Sequence, residues 1–554
     1  MRVFYRNISK IGIILLCIIL FYGEGVQAIH SEFIMKHGYY DSDKVWKVVF
    51  NAPISEESLD YIGVFKDKEG KEAVTGIKVK YGDKNKNTIF IYPPNTGYMR
   101  GAYYLIINSE VKTSKEGLST LDKEVVAKFN VETLELKGVN IESNIFKHYE
   151  VEEEMLKNDF WIDNIKDKNV HENIEAINTA NVKNVDTMLD IYSLRESINK
   201  DEIMKMINRY KIPSRIMYNK DEIELKDWFY DEIIKNLNKD KIKDETKLRY
   251  GVVTTRSDIR SFPTDVEFHK VKGDRFDRIQ ETAFEAGEGV TVLHESLDEN
   301  WLFVQGQNYA GWMKRENVAF DSREEVRKFV EAEEFIVITQ DRVSVEYNGK
   351  KYYYSMGVKL PIRYKDMEME RTYASIPIRD ENGNLKVVQA KVKNIDYSEG
   401  YLQATRENII KQAFKLQGTD YSWGDKSVGR DCSSTMMGIY RTMGIYLPRN
   451  TDEQEDSYGS STNLNGLDTD RRYEKVKELQ PGDLIFMNGH EVMYIGRWKE
   501  RDYIIHNFTG ATLKDDKGTR YGDVFRMAVT PLDMLSGSGK SYINLYSSYL
   551  KILE

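Results

Sequence analysis

Cysteine is almost missing from this chain: two occur in 554 residues. An internal disulfide framework is excluded if either is lost. Cys17 lies inside the apolar run IGIILLCIILFYG, which follows Arg2, Arg6 and Lys10 and ends at VQA, with Val26 and Ala28 at the positions a signal peptidase reads. At about thirteen residues that run falls short of the ~20 needed to cross a bilayer. Residues 1–28 therefore read as a secretory signal, and the bulky Ile14, Leu15 and Leu16 before Cys17 do not fit a lipoprotein cleavage site. Once the leader is removed, Cys432 is the single cysteine, and a lone thiol is either a small core residue or a nucleophile.

Other absences narrow the function. No second segment is apolar enough to span a membrane. Proline is scarce, at ten residues, and no low-complexity run marks a long disordered linker. Charge is interleaved rather than blocked. Three basic residues and Glu24 leave with the leader, so the net charge of −9 for the whole chain becomes about −11, and a nucleic-acid partner is excluded on charge. The histidines are dispersed, and no Cys or His pair has ligand spacing, so no metal or cofactor is expected. SGSGK near the C-terminus lacks the length of a phosphate-binding loop and reads as a turn.

With 41% hydrophobic residues the chain can bury several cores, and its length predicts three to five domains. Residues 29–135 alternate in short strands (VWKVVFNAPI, YIGVFKDKEGKEA, VVAKFNV), which predicts an all-β sandwich; WKVVFNAPISEESL and YPPNTGYMRGAYYLII resemble bacterial immunoglobulin-like modules. Residues 136–245 turn to helical periodicity, as in VDTMLDIYSLRESI and LKDWFYDEIIKNLN, and no site is assigned there. Two small β-barrels follow, over 246–322 and 323–400, the second with a hairpin turn at DENGN. Both resemble bacterial SH3-like domains, most clearly at Trp301–Val304 and Tyr309–Trp312. Residues 401–554 are mixed: an amphipathic helix in ATRENIIKQAFKLQG, the loop YSWGDKSVGRD, the helix CSSTMMGIYRTMG, then strands GDLIFM, HEVMYIG and DYIIHNF. The fold class is thus multidomain, with a β-sandwich, a helical segment, two barrels and a C-terminal α+β domain.

Chemistry concentrates at the end. Cys432 opens a helix, where free N–H groups and the positive end of the helix dipole are expected to lower the thiol pKa. His490 opens the strand HEVMYIG and His506 closes YIIH on the next, so adjacent strands can align them as base and orienting group.

The ordered motifs YSWGDKSVGRDCSS, LPRNTDEQ, LQPGDLIFM, HEVMYIG and IIHNFTG resemble the NlpC/p60 cysteine peptidases, papain-like cell-wall hydrolases. The likeness covers 401 to about 512; RSDIRSFPT at 256–264 and the two barrels extend it to the subgroup in which a helical clip and two SH3-like domains precede the peptidase. The resemblance implies Cys432 as nucleophile, His490 as base, His506 as its orienting partner, and Tyr421 as an oxyanion donor beside the cysteine's own N–H. It implies no cofactor, a secreted or wall-associated location, and peptidoglycan stem peptides or muropeptides as partner, cut between D-glutamate and the following diamino acid. In that subgroup the first barrel walls the cleft, and the site is selective for a free N-terminal L-alanine, whose amine Asp431 and Ser433 would hold. Tyr309 and Trp312 are further candidates, with core packing as the plainer role. Two departures stand out. Asp425 replaces the second glycine of Y-x-W-G-G, and Glu491 replaces the valine after the catalytic histidine; Glu491 is expected to point to the face opposite His490 and to be tolerated. A wall-binding protein with a vestigial peptidase domain, and an amidase or acyltransferase on the same fold, are the alternatives.

Overall fold

The computed structural model describes residues 46–553 apart from short stretches, the longest being 113–120, 132–148, 166–173 and 186–195; before residue 46 it describes only the backbone of two strands, Leu15–Ile19 and Glu32–Tyr40. The expected leader, residues 1–28, otherwise lies outside the described residues. No described helix is long and apolar enough to cross a membrane.

The chain divides into two compact units, 1–135 and 136–554. In the first, two four-stranded sheets share one core. Leu15–Ile19, Trp46–Phe50, Thr88–Tyr92 and Lys78–Tyr81 form one sheet; Glu32–Tyr40, Val125–Val131, Gly101–Ile107 and Ile62–Phe65 form the other. Period-two alternation puts Trp46, Val48 and Phe50 of one sheet and Val64, Leu105 and Phe129 of the other inside. The rings of Trp46 and Phe129 meet 4.6 Å apart between the sheets. This is the sandwich that the alternating strands predict.

In the second unit the helix-rich segment has no core of its own among the described residues. Its first part, with Trp161, Ile162 and Ile177, packs into the core of the C-terminal domain. Its second part, helices Lys200–Asn208 and Asp227–Asn236, packs Ile203, Ile207 and Ile233 against Phe262, Phe268, Phe303 and Trp312 of the first barrel. Apolar periodicity shows that a helix has a buried face, not which neighbour covers it.

The first barrel is a seven-stranded antiparallel sheet in the order Gln280–Phe284, Ser257–Arg260, Ala310–Lys314, Trp301–Gln305, Gly289–Glu295, Arg249–Val253, Val318–Asp321. A helix, Arg323–Val330, leads to a five-stranded sheet and a separate hairpin, Arg342–Tyr347 with Lys350–Ser355. The DENGN turn forms as expected: Asp380 Oδ1 accepts the N–H groups of Asn382 and Asn384, and Gly383 takes φ 91°.

The C-terminal domain places helices α1 (Arg406–Lys415), α2 (Cys432–Arg441) and α3 (Thr451–Glu455) against a six-stranded sheet. Its strands are β1 (Ser461–Asn463), β2 (Leu484–Met487), β3 (His490–Trp498), β4 (Arg501–Asp515), β5 (Gly518–Pro531) and β6 (Tyr546–Leu550). The order is β1-β6-β2-β3-β4-β5, so β2-β3-β4 is the expected meander. The long β4–β5 hairpin and the insertion of β6 beside β2 are features the motifs do not reveal. α2 is buried around most of its surface, with Met436, Ile439 and Tyr440 fully covered, and it packs on β3 and β4.

Candidate active site

The site begins with the capping of α2. Asp431 is the N-cap: its carboxylate accepts the Ser434 N–H at 3.1 Å, while its own N–H donates to Ser434 Oγ at 3.1 Å, a reciprocal box that fixes the first turn and places Cys432 at its start. Arg449, 3% exposed at its side chain, donates to Asp431 Oδ2 at 2.7 Å, to Ser433 Oγ at 2.8 Å and to Thr282 Oγ1 of the first barrel at 2.5 Å. One guanidinium thus joins the Cys432 helix to the barrel. Burial pushes the Asp431 carboxyl upward, but Arg449 and the N–H donors more than offset it and hold it below its ordinary value.

Asp425 explains its own departure from the glycine pattern. Its φ is 59°, in the left-handed region where glycine is the default and aspartate among the better-tolerated alternatives. Its carboxylate accepts the Asp431 N–H at 3.1 Å and the Ser434 hydroxyl, and lies 3.5 Å from Arg449. The side chain adds hydrogen bonds to the helix start that glycine cannot make. Gly424 beside it cannot be larger, since a Cβ there would lie 2.6 Å from the Gln280 carbonyl of the barrel.

Cys432 is 7% exposed. Its Sγ lies 3.8 Å from Thr451 Oγ1 at the start of α3 and takes a hydrogen bond from the Glu491 backbone, which puts the sulfur at the opening of β3, where His490 stands. The helix start does not lower the thiol pKa as local reasoning predicts. Burial, with the carboxyls of Asp431 and Glu491, pushes it up to about 12.

His490 and His506 come together as expected. His490 Nε2 is 2.8 Å from His506 Nδ1, and His506 Nε2 is 3.0 Å from Thr530 Oγ1 on β5. If Thr530 accepts from His506 Nε2–H, then His506 Nδ1 accepts from His490 Nε2–H, and His490 Nδ1 is left as a bare lone pair. That nitrogen has no partner among the described residues. His506 is fully buried and stacked on Phe508, centroids 4.0 Å apart and planes within 3°. Burial lowers the His490 pKa to about 4 and holds that of His506 well below its ordinary value. At neutral pH the resting pair is therefore a neutral thiol and a neutral imidazole.

Tyr421 is half-buried in the loop before α2. Its N–H donates to the Phe525 carbonyl at 2.9 Å, and its ring lies 6.3 Å from that of Phe525. Its hydroxyl has no partner among the described residues, and burial with the neighbouring Cys432 and Asp431 raises its pKa. Tyr309 and Trp312 separate: Trp312 is fully buried against Phe303, whereas the Tyr309 hydroxyl donates to Glu281 at 2.6 Å on the barrel edge that carries Thr282.

Glu491 is the group sequence reasoning underrated. It is fully buried, and neither carboxyl oxygen has a hydrogen-bond partner among the described residues. Burial and the nearby Asp431 raise its pKa well above the ordinary value. Glu491→Met, which keeps length and removes the orphaned oxygens, is expected to stabilise the domain by about 1–3 kcal/mol. The gain should be larger at pH 8 than at pH 4.5. A carboxyl with a raised folded pKa binds its proton better in the native state, so the wild type loses stability as pH rises above about 4.5, and methionine abolishes that loss. Thermal melts at the two pH values measure it.

Arg449, Thr451 and Gln454, whose side-chain amide donates to the Ser433 carbonyl at 3.2 Å, all lie in LPRNTDEQ. The N-x-x-E spacing there was a readable helix start, and the structure shows Asn450 and Glu453 closing a capping box.

Residues 418–524 match the NlpC/P60 family, and residues 267–314 match an SH3 domain of the SH3b1 type. The chain is 25% identical over 208 residues to dipeptidyl-peptidase 6 of Lysinibacillus sphaericus, covering 37% of this chain and 72% of that one. It is 25% identical over 239 residues to the gamma-D-glutamyl-L-lysine dipeptidyl-peptidase of Bacillus cereus, covering 39% of this chain and 65% of that one. An NlpC/P60 endopeptidase structure from Photobacterium damselae subsp. piscicida superposes with a TM-score of 0.57 at 20% identity, over 69% of this chain and 94% of that one. The matched span holds the Cys432 helix, His490 and His506, and the barrel that Arg449 ties to it is the matched SH3 domain: the chain carries an NlpC/P60 domain with an SH3 domain of the SH3b1 type ahead of it.

Proposed function

We propose that this chain is a secreted cysteine peptidase that hydrolyses the D-γ-glutamyl–diamino acid bond of peptidoglycan stem peptides bearing a free N-terminal L-alanine. The observation that carries the reading is the Thr530–His506–His490 chain, which, with Thr530 as acceptor, leaves His490 Nδ1 bare on the strand that meets Cys432 Sγ. His490 Nδ1 takes the thiol proton as Sγ bonds to the γ-glutamyl carbonyl carbon. The oxyanion is met by the Cys432 N–H and the Tyr421 hydroxyl. The tetrahedral adduct collapses as His490 returns the proton to the departing amine, and water, deprotonated by the same nitrogen, then releases the acyl group and restores the thiol.

Selectivity for a free amine rests on acidic groups crowded at one side of the nucleophile. Asp431 and Ser433 are both engaged by Arg449, so Asp431 attracts an ammonium through its charge, and Glu281 with Tyr309 brings a second carboxylate from the barrel. The two dipeptidyl-peptidase relatives point the same way. The likeness of residues 29–135 to immunoglobulin-like modules, of 323–400 to a second SH3-like barrel and of 136–245 to a clip fits a protein working at the cell wall.

Mass spectrometry of L-Ala-γ-D-Glu-diaminopimelate tests the reading. Release of L-Ala-γ-D-Glu is expected, and acetylating the alanine amine should cut kcat/KM by about 100-fold or more, because it leaves the acidic groups without a cation. Equal turnover of both peptides would remove the amine selectivity, and release of free alanine alone would move the cut to the Ala–Glu bond and overturn the γ-glutamyl assignment.

A further inference from the structure

The barrel loop K-G-D-R-F-D-R brings two arginines to the rim of the site, and neither is used by the mechanism above. Arg278 stacks its guanidinium 4.9 Å from the Phe276 ring and 5.5 Å from the Trp423 ring, and Arg275 lies 4.4 Å from the Phe525 ring. These rings continue inward: Phe276 is 6.4 Å from Tyr421 and 5.6 Å from Trp423. The rim therefore begins where the oxyanion donor ends.

Three features fit a ligand rather than packing. Trp423 is 41% exposed, a large apolar surface left open beside the nucleophile's loop. Arg278 has one carboxylate partner, Asp274 at 3.1 Å, and its Nε is buried with no acceptor among the described residues; Arg275 is 62% exposed and only 3.7 Å from Asp523. Phe525, which carries both Arg275 and the backbone of Tyr421, has φ 46°, a strained conformation for a bulky residue of the kind kept where surroundings over-determine it. A guanidinium lying over an aromatic face can still direct N–H donors outward, and paired donors suit a planar anion. In a chain of net charge −9 these two arginines lie on the Phe276 and Phe525 side of Tyr421, whose hydroxyl also has Asp431 as a charged neighbour.

We infer that Arg275 and Arg278, stacked on Phe525, Phe276 and Trp423, form a carboxylate-binding rim that reads a free carboxyl of the substrate beside the scissile bond. This rests on the peptidase reading, and a stem peptide suits it: an ammonium at one end, carboxyls on the glutamate and on the diamino acid beyond.

The test is calorimetric binding to full-length protein carrying Cys432→Ser, so that nothing turns over. The probes are the tripeptide, its glutamate α-amide and its C-terminal amide. One amide is expected to bind about 10–100-fold more weakly than the free acid, and which one identifies the carboxyl. Adding Arg278→Gln should erase that difference, and Arg275→Gln should reduce it, with melting temperatures unchanged; if the first variant unfolds, the second decides. Both amides binding as well as the acid, or a difference that survives both substitutions, overturns the rim. Dipeptide release by the wild type without amide discrimination would leave the peptidase standing and the rim refuted. Arg278-dependent binding without any cleavage would do the reverse.

Discussion

Cys432→Ser is expected to lower kcat/KM by about 10⁴-fold or more, with KM little changed and the fold intact. That is on the order of 5.5 kcal/mol of transition-state stabilisation. The size follows from the resting state. Thiol and imidazole are both neutral here, so the nucleophile must lose its proton to His490 during attack. A hydroxyl gives that proton up far less readily, and its oxygen is the weaker nucleophile. Oγ would still face the Glu491 N–H and Thr451, so binding should survive. The same neutral pair fixes the wild-type pH profile. His490 accepts a proton only when deprotonated, so the rate should fall on the acid side as pH drops through about 4 and should not reach a thiol-controlled limb below about 12. Initial rates from pH 3.5 to 9 and iodoacetamide alkylation at pH 7 check both parts. Rapid alkylation of the resting protein at pH 7 would mean a preformed thiolate and would overturn the neutral pair.

The candidate site residues were legible because each sits inside a short, ordered motif whose local structure does the placing. Cys432 opens a helix, His490 opens a strand, and strand adjacency brings His506 to it. What the sequence hid was long-range. The Arg449–Thr282 bond joins residues 167 apart, and nothing in LPRNTDEQ states that its arginine ends on a barrel strand. Of the stretches expected to be helical, LKDWFYDEIIKNLN holds the helix Asp227–Asn236, VDTMLDIYSLRESI lies mostly outside the described residues, and the division of the described part between two cores depends on which neighbour each apolar face meets. The thiol shows the same limit in energetic form. A helix N-terminus lowers a cysteine pKa only while the sulfur stays hydrated, and burial beside two carboxyls reverses the sign. Alternation puts Glu491 on the face away from His490, but alternation alone does not say that this face is fully buried. Asp425 is the opposite case: a residue that breaks the glycine pattern is explained by the hydrogen bonds its side chain makes.

Removing Arg449 should cost nearly as much in stability as removing the thiol costs in rate. Arg449→Met keeps length and apolar stem but leaves Asp431 and Asp425 buried without their cation, and unpairing one side of a buried ion pair costs about 3–5 kcal/mol. The deficit should depend on pH in a defined direction. In the wild type the Asp431 pKa is depressed, so its contribution is present above the unfolded value of about 3.8 and fades as pH falls through the folded one. In the variant both carboxyls can take up protons instead of standing as uncompensated charges, so its disadvantage should be full at pH 7 and shrink toward pH 4. Urea unfolding of the C-terminal unit at the two pH values measures this. A second consequence separates it from a general packing defect. Arg449 is also the bond from the nucleophile's helix to the barrel wall, so amine selectivity should weaken in whatever fraction remains folded, and Arg449→Lys, with one cation but no fork, should recover part of the stability and little of the selectivity. A loss below about 1 kcal/mol at pH 7 would mean that water already solvates those carboxylates, and that the capping box alone holds Cys432 in place.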